Sequence, residues 1–208
     1  MKCADPRVEF FNRLAENWDN EEPSTQTMAM RLDWHREVLD LKPGQSLLEV
    51  GCGTGKTTEW FARAVAPGKV TAVDFSPAMI SLARAKNIDA DFKCVDICGY
   101  MPPDGPYDVV MCFHSFPHFR DQPGALRNLR SCLKPDGRLI VMHLASSAHI
   151  NGFHSGVGGD IGGDLLPGND DWPAMLQGAG LGLVELIDRA DLFFMEGRPS
   201  SKAATGQT

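Results

Sequence analysis

Residues 47–62 read LLEVGCGTGKTTEWFA: a short apolar run, glycine at alternate positions, then the opening of a helical pattern. An apolar run this short, bounded by glycine, suits a strand buried on both faces. Glycines after it let the backbone turn sharply and approach a ligand closely. The stretch nearly matches two phosphate loops and fits neither. The pattern G-x-x-x-x-G-K-[ST] needs glycine where Val50 stands, and Gly51 is one residue too close to Gly55-Lys56-Thr57. The pattern G-x-G-x-x-G needs its third glycine where Lys56 stands. Lys56 is therefore expected to be a solvated residue of the first helical turn.

Beyond this stretch, strand and helix patterns alternate. Strands are expected at 46–50, 69–73, 91–95, 107–113 and 138–144, and helices near 55–66, 77–86 and 123–133. This order predicts an α/β fold: a Rossmann-like, doubly wound, mostly parallel sheet covered on both faces. Pro67-Gly68 and Pro135-Asp136-Gly137 supply the helix-to-strand turns. Residues 181–196 read as two strands and a short turn, an antiparallel edge hairpin that completes seven strands. At the other end, Asp5-Pro6 has the form of a helix cap followed by proline, and Val8, Phe11, Leu14, Ala15 and Trp18 repeat with helical spacing. A second helix is expected from about 25 to 40, so that 1–41 forms a helical lid. The glycine- and histidine-rich segment 145–170 reads as a long loop, and long loops in compact domains tend to be functional. Residues 1–198 are read as one domain, with 199–208 a polar, disordered tail.

Composition narrows the partners. The formal charge is −7 with no Lys/Arg run, which disfavours a nucleic-acid partner. No apolar stretch approaches a membrane span, and no secretion signal is expected. The six cysteines are scattered, as in reduced cytoplasmic proteins. Monomer and homodimer are not distinguished.

The motif left standing is E-x-G-x-G-x-G, formed by Glu49, Gly51, Gly53 and Gly55. Asp74 follows the second strand nineteen residues after Gly55, and Asp96 follows the third in CVDI. With YDVVMCFHSFPHF and the L-K-P-x-G turn of LRNLRSCLKPDGRLIVMHL, these motifs resemble the class I S-adenosylmethionine-dependent methyltransferases over about residues 45–145. The early FFNRLAENWD is similar to the small quinone-biosynthesis type. The resemblance implies methyl transfer to a small molecule, with S-adenosylmethionine held by Glu49, Gly51, Cys52, Gly53, Gly55, Asp74, Phe75, Met79, Asp96, Ile97 and Cys112. Within that set Asp74 would accept both ribose hydroxyls, Asp96 would lie beside the adenine amino group, and Met79 would pack on the adenine. Trp18 and Phe10 would cap the pocket, whereas Trp34, Trp60 and Trp172 read as packing residues.

Histidine is the default base near neutral pH, and ligands of open α/β sheets bind outside the carboxyl ends of the strands. His114 directly follows the fourth strand, His118 lies four residues on, His143 is near the end of the fifth, and His149 and His154 fall in the segment beyond. In one reading His114 or His118 is a general base, and His143 and His154 contact substrate. In the other, a subset of His114, His118, His143 and His154, with Asp160 or Asp164, binds a divalent metal that activates the acceptor. Two alternatives remain open: an enzyme of this fold using a histidine-bound metal for other chemistry, and a module that binds S-adenosylmethionine without catalysis.

Overall fold

A computed structural model describes residues 5–21, 23–99 and 105–200. Strands β1 (Leu47–Val50), β2 (Val70–Asp74), β3 (Asp91–Cys94), β4 (Tyr107–Phe113), β5 (Leu133–His143), β6 (Leu181–Arg189) and β7 (Leu192–Pro199) form one seven-stranded sheet. Its order is β3-β2-β1-β4-β5-β7-β6. β1 to β5 run parallel, and β7 lies antiparallel to both β5 and β6. The expected edge hairpin is therefore present. β5 begins earlier than expected because Leu133 already pairs with Tyr107, and the Pro-Asp-Gly turn bulges out before the ladder resumes at Arg138.

Successive residues of the central strands bury on opposite faces. Leu48, Val110 and Cys112 join one apolar cluster, whereas Leu47, Val109 and Met111 join another. That is why these strands read as continuous apolar runs. Helices α4 (Thr58–Val65), α5 (Pro77–Ala85) and α6 (Gln122–Ser131) stand where the periodicity placed them. Ser76 caps α5 by accepting from the Met79 N–H, and Asp121 caps α6 by accepting from Gly124.

The amino-terminal region holds α1 (Pro6–Leu14), a 3-10 turn at Ala15–Asn20, α2 (Thr25–Trp34) and α3 (Arg36–Leu39). The single helix expected at 25–40 is thus two. His35 leaves helical geometry at φ −101 and ψ 15, and Asp40 ends α3 in the left-handed region at φ 44. Trp60 and Trp172 are buried as expected, but Trp34 is 83% exposed on α2 and packs into no core.

Segment 145–170 corrects the sequence reading most. It contains α7 (Ser147–Val157) and a 3-10 turn at Gly159–Ile161. Gly152 and Gly156, each costing about 1 kcal/mol in a helix relative to alanine, disguise α7, but both sit in open space. Ser146 starts the helix by accepting from His149 N–H. Asn151 then holds the returning chain, donating to Leu166 O and accepting from Leu166 N–H. α8 (Trp172–Gly178) follows, burying Trp172 and Leu176. Pro199 belongs to β7 and Ser200 N–H donates to Gly180 O, so the expected tail starts no earlier than the last eight residues, which lie outside the described ones.

The hairpin is joined to the parallel sheet by a buried ion pair. Arg138 on β5 donates from Nε (3.0 Å) and Nη2 (2.6 Å) to Glu196 Oε2 on β7, and from Nη1 to Leu39 O at the end of α3. We expect Arg138→Leu to lower stability by about 3 kcal/mol, because removing one member strands a buried charge. Arg198, which also donates to Glu196, keeps the loss from being larger. The midpoint of a urea titration reads this directly.

Candidate active site

The site begins with the anchoring of the loop after β1. Glu49 is 1% exposed, and its two carboxylate oxygens accept from Thr57 Oγ1 (3.0 Å) and Thr58 Oγ1 (2.6 Å) at the start of α4. The loop between is closed by its own first acid and its following hydroxyls. At Gly51 the backbone takes φ +78, and a Cβ there would lie 2.3 Å from Ser115 Cβ. Only glycine allows this approach. Ser115 Oγ donates in turn to Val50 O, so the ends of β1 and β4 are fastened together.

β1 continues to β2 on one side and neighbours β4 on the other, so the strand order reverses here and a crevice opens at the carboxyl edge. The crevice has about 690 Å³ of open volume. Gly51, Gly53, Asp74, Phe75, Met79, Asp96 and Ile97, all expected to contact cofactor, line it. The other four expected contacts do not. Glu49 is turned to the threonines, Gly55 faces Phe92 and Ala83, and Cys52 packs in the α4-side core. Cys112 is wholly buried beneath the strand on the α6 side, and burial pushes both of these thiols up. Period-two alternation puts Cys112 on a core face although it sits one residue from the rim.

Asp74 is the pivot of the crevice. Its Oδ2 accepts from Gly53 N–H and its Oδ1 from Ser76 N–H, both at 2.9 Å, while burial pushes its pKa up. Asp96 stands half open, accepting from Cys98 N–H. Over the crevice lie Phe11 and Trp18; Phe11, not Phe10, is the aromatic residue of α1 that lines it. The lid is tied to the glycine loop. Lys56, expected to be solvated, donates from Nζ to Trp18 O (3.1 Å) and Glu21 O (2.9 Å). Asp19 accepts from Thr54 Oγ1 and pairs with Lys86 at 2.6 Å.

The histidines gather, but in different states. His114, at φ 53 after β4, accepts the Leu144 N–H on Nε2. Burial first, then Arg31 and His118, hold it down to about 3, so it is neutral and its Nδ1 carries the proton. His143 is buried on β5 with neither ring nitrogen partnered among the described residues, its ring 4.9 Å from that of His114. Burial keeps it neutral as well. His118 lines the crevice, and its Nδ1 lies 2.8 Å from Asp164 Oδ2. Its ring meets Phe11 at 5.1 Å and His154 at 4.9 Å. His154, on α7, is buried and its pKa is lowered by that burial. His149 is exposed. Among the described residues no three His, Cys, Asp or Glu side chains are disposed to hold a metal ion; the side chain of Asp160 lies outside them.

Arg7, Asp5 and Arg120 also line the crevice and escaped sequence reading. Asp5, read as a helix cap, bonds the Arg7 guanidinium and pairs with Arg120, and the arginine bond holds its carboxyl low. Arg7 Nη1 donates to His118 O at 2.8 Å and stands 3.6 Å from Asp164. No local pattern marks such a residue; only the packing of α1 on the rim does.

A family model described as a methyltransferase domain matches residues 24–186. The chain belongs to this methyltransferase-domain family. The match reaches well beyond the region where the motifs resembled it. Among curated relatives, demethylmenaquinone methyltransferase of Thermus thermophilus is 29% identical over 144 residues, 66% of this chain and 60% of the relative. Phosphoethanolamine N-methyltransferase of Triticum aestivum is 30% identical over 161 residues, 76% of this chain and 32% of the relative. The chain thus spans 60% or less of the length of these relatives. Among solved structures, magnesium protoporphyrin IX methyltransferase of Synechocystis with bound SAH superposes with TM-score 0.67 at 20% identity, covering 94% of this chain and 98% of that one. A DhpI–SAH complex reaches TM-score 0.71 at 18% identity, covering 94% and 96%. For this methyltransferase-domain chain these likenesses establish the fold. Among the described residues no helix is long and apolar enough to cross a membrane.

Glu49 yields a prediction that needs no ligand. Burial pushes its pKa from 4.5 to about 7. Between those values the folded chain keeps a proton that the unfolded chain has lost, so stability falls as pH rises through this window and levels off above it. Glu49→Gln removes the loss. Relative to the parent, the variant should gain on the order of 2–3 kcal/mol between pH 4 and pH 8, read from urea midpoints at both.

Proposed function

We propose that this chain transfers a methyl group from S-adenosylmethionine to a small-molecule acceptor, with His118 as the general base. The observation that carries the reading is the crevice at the strand-order reversal, with glycine backbone, a buried carboxylate and apolar walls on one side and a His–Asp pair at its rim. The lining suits an adenosyl sulfonium better than a phosphate. Asp74 and Asp96 both face it, Arg7 and Arg120 are already paired with Asp5, and the one lysine of the glycine loop is turned to the lid. The cofactor supplies a methyl group on positively charged sulfur, already bound to a good leaving group.

The rest falls to the chain. Gly51 and Gly53 let the backbone come close to the amino-acid part, Asp74 accepts the ribose hydroxyls, and Asp96 accepts from the adenine amino group. Met79, Phe75 and Ile97 wall the base. Phe11 and Trp18 exclude water from above, and the gain from holding two reactants in line can reach about 7–11 kcal/mol. Asp164 holds Nδ1–H of His118, which leaves Nε2 to take the acceptor's proton, and the carboxylate then stabilises the imidazolium. His114, neutral with its proton on Nδ1, is a donor and not a base. The acidic net charge and the folded segment 145–170 beside the rim support a small acceptor over a polymer.

Titration calorimetry with S-adenosylmethionine tests the first claim. Asp74→Ala should weaken binding by about 2 kcal/mol, on the scale of charge-assisted hydrogen bonds, and unchanged affinity would remove the carboxylate from the ribose. His118→Asn and Asp164→Asn should each lower release of S-adenosylhomocysteine by roughly 10²-fold or more, with cofactor affinity kept. A loss of cofactor affinity equal to the loss of rate would make the pair structural.

A further inference from the structure

Beside the cofactor crevice lies a second, more open groove of about 1350 Å³, between α2, the end of β5 and α7. Trp18 and His114 line both spaces, so the two meet across these rings. We propose that this groove is the acceptor subsite and that it takes a molecule with a flat apolar body and one anionic group, an inference that rests on the methyl-transfer reading above.

The apolar half is Met28, Leu144, Ile150 and Phe153. Phe153 is 59% exposed, one of few large apolar side chains left open to water, and it stands on the groove's α7 wall. An exposed ring in a concave apolar setting is a face that a ligand ring can cover. The polar side of the groove carries Arg31; Lys56 and Glu21 also line it, with Lys56 engaged by lid carbonyls. Arg31 is half-buried, its guanidinium donates to Leu144 O, and among the described residues it forms no ion pair with a carboxylate. A guanidinium bound to a neutral carbonyl keeps donors for an anion and favours a planar, bidentate one such as a carboxylate. With Arg31 on α2 and Phe153 on α7, a bound ring with its acid toward α2 would present its free edge to the Trp18–His114 junction. His114, kept neutral, adds no positive charge where the sulfonium would sit.

The test uses three naphthalenes of one ring size: 1-hydroxy-2-naphthoate, 1-naphthol and 1-naphthylmethylamine. Binding to the full chain is measured by calorimetry with saturating S-adenosylhomocysteine. The naphthoate should bind about tenfold or more tighter than the naphthol, a difference of about 1.4 kcal/mol, and the amine weakest. Arg31→Gln should bring naphthoate and naphthol to within about threefold, Arg31→Lys should restore most of the gap, and Phe153→Asp should weaken both ring probes, with thermal melting confirming that each variant folds. Equal binding of all three, or a naphthoate preference that survives Arg31→Gln, overturns the subsite. If S-adenosylhomocysteine itself does not bind, the methyl-transfer reading falls instead; if it binds and the probes are not discriminated, only the subsite does.

Discussion

The contact on which the site depends is the one between Gly51 and Ser115. No side chain fits between them, and the serine hydroxyl closes the gap by donating to Val50 O. This sets how close the ends of β1 and β4 stand, and with it the mouth of the crevice. From that point the geometry propagates along hydrogen bonds. Glu49 fixes the far end of the loop through Thr57 and Thr58, and Asp74 fixes its middle through Gly53 N–H. Two carboxylates on adjacent strands thus shape one loop, and only the second retains a face toward the crevice.

The order of elements was legible because each central strand is buried on both faces and each turn carries glycine or proline. The crevice was legible for a related reason: residues one or two past the end of a parallel strand must lie at its carboxyl edge. Asp74, Asp96, His114 and the glycines follow from chain order alone. What sequence could not give was the fate of side chains within a turn of that edge. Cys112 and His114 are two residues apart and would share a face in a continuing strand, but β4 ends at Phe113 and the left-handed backbone of His114, at φ 53, turns its ring to the rim. Lys56 reads as an exposed residue of a first turn, but it has lid carbonyls within reach. α7 escaped because its glycines mimic a loop, whereas its real determinants are a serine cap and an asparagine bonded across the segment.

The histidines illustrate how little residue type says without surroundings. Placed together on the rim, they divide by hydration. His143 and His114 lie deep enough that imidazolium would go unsolvated, so they act as neutral polar rings. His118 has a carboxylate on one nitrogen and the crevice beside it, which is the arrangement a proton acceptor needs. Clustering of four rings suggested a shared metal; in the fold their near neighbours are mostly one another's edges, aromatic rings and a backbone amide.

The lid has its own small apolar cluster, Phe11 and Ala15 against Met79 and Ile161, apart from the two clusters that flank the sheet. Its remaining ties to the loop are polar: the Lys56 donations and the Asp19–Thr54–Lys86 set. Such a unit can peel away and reseat while the sheet stays intact. Loosening of residues 6–20 as a unit, with release of the Arg7–His118 and Asn12–Ser76 hydrogen bonds, therefore widens the crevice while the strands beneath keep their pairing.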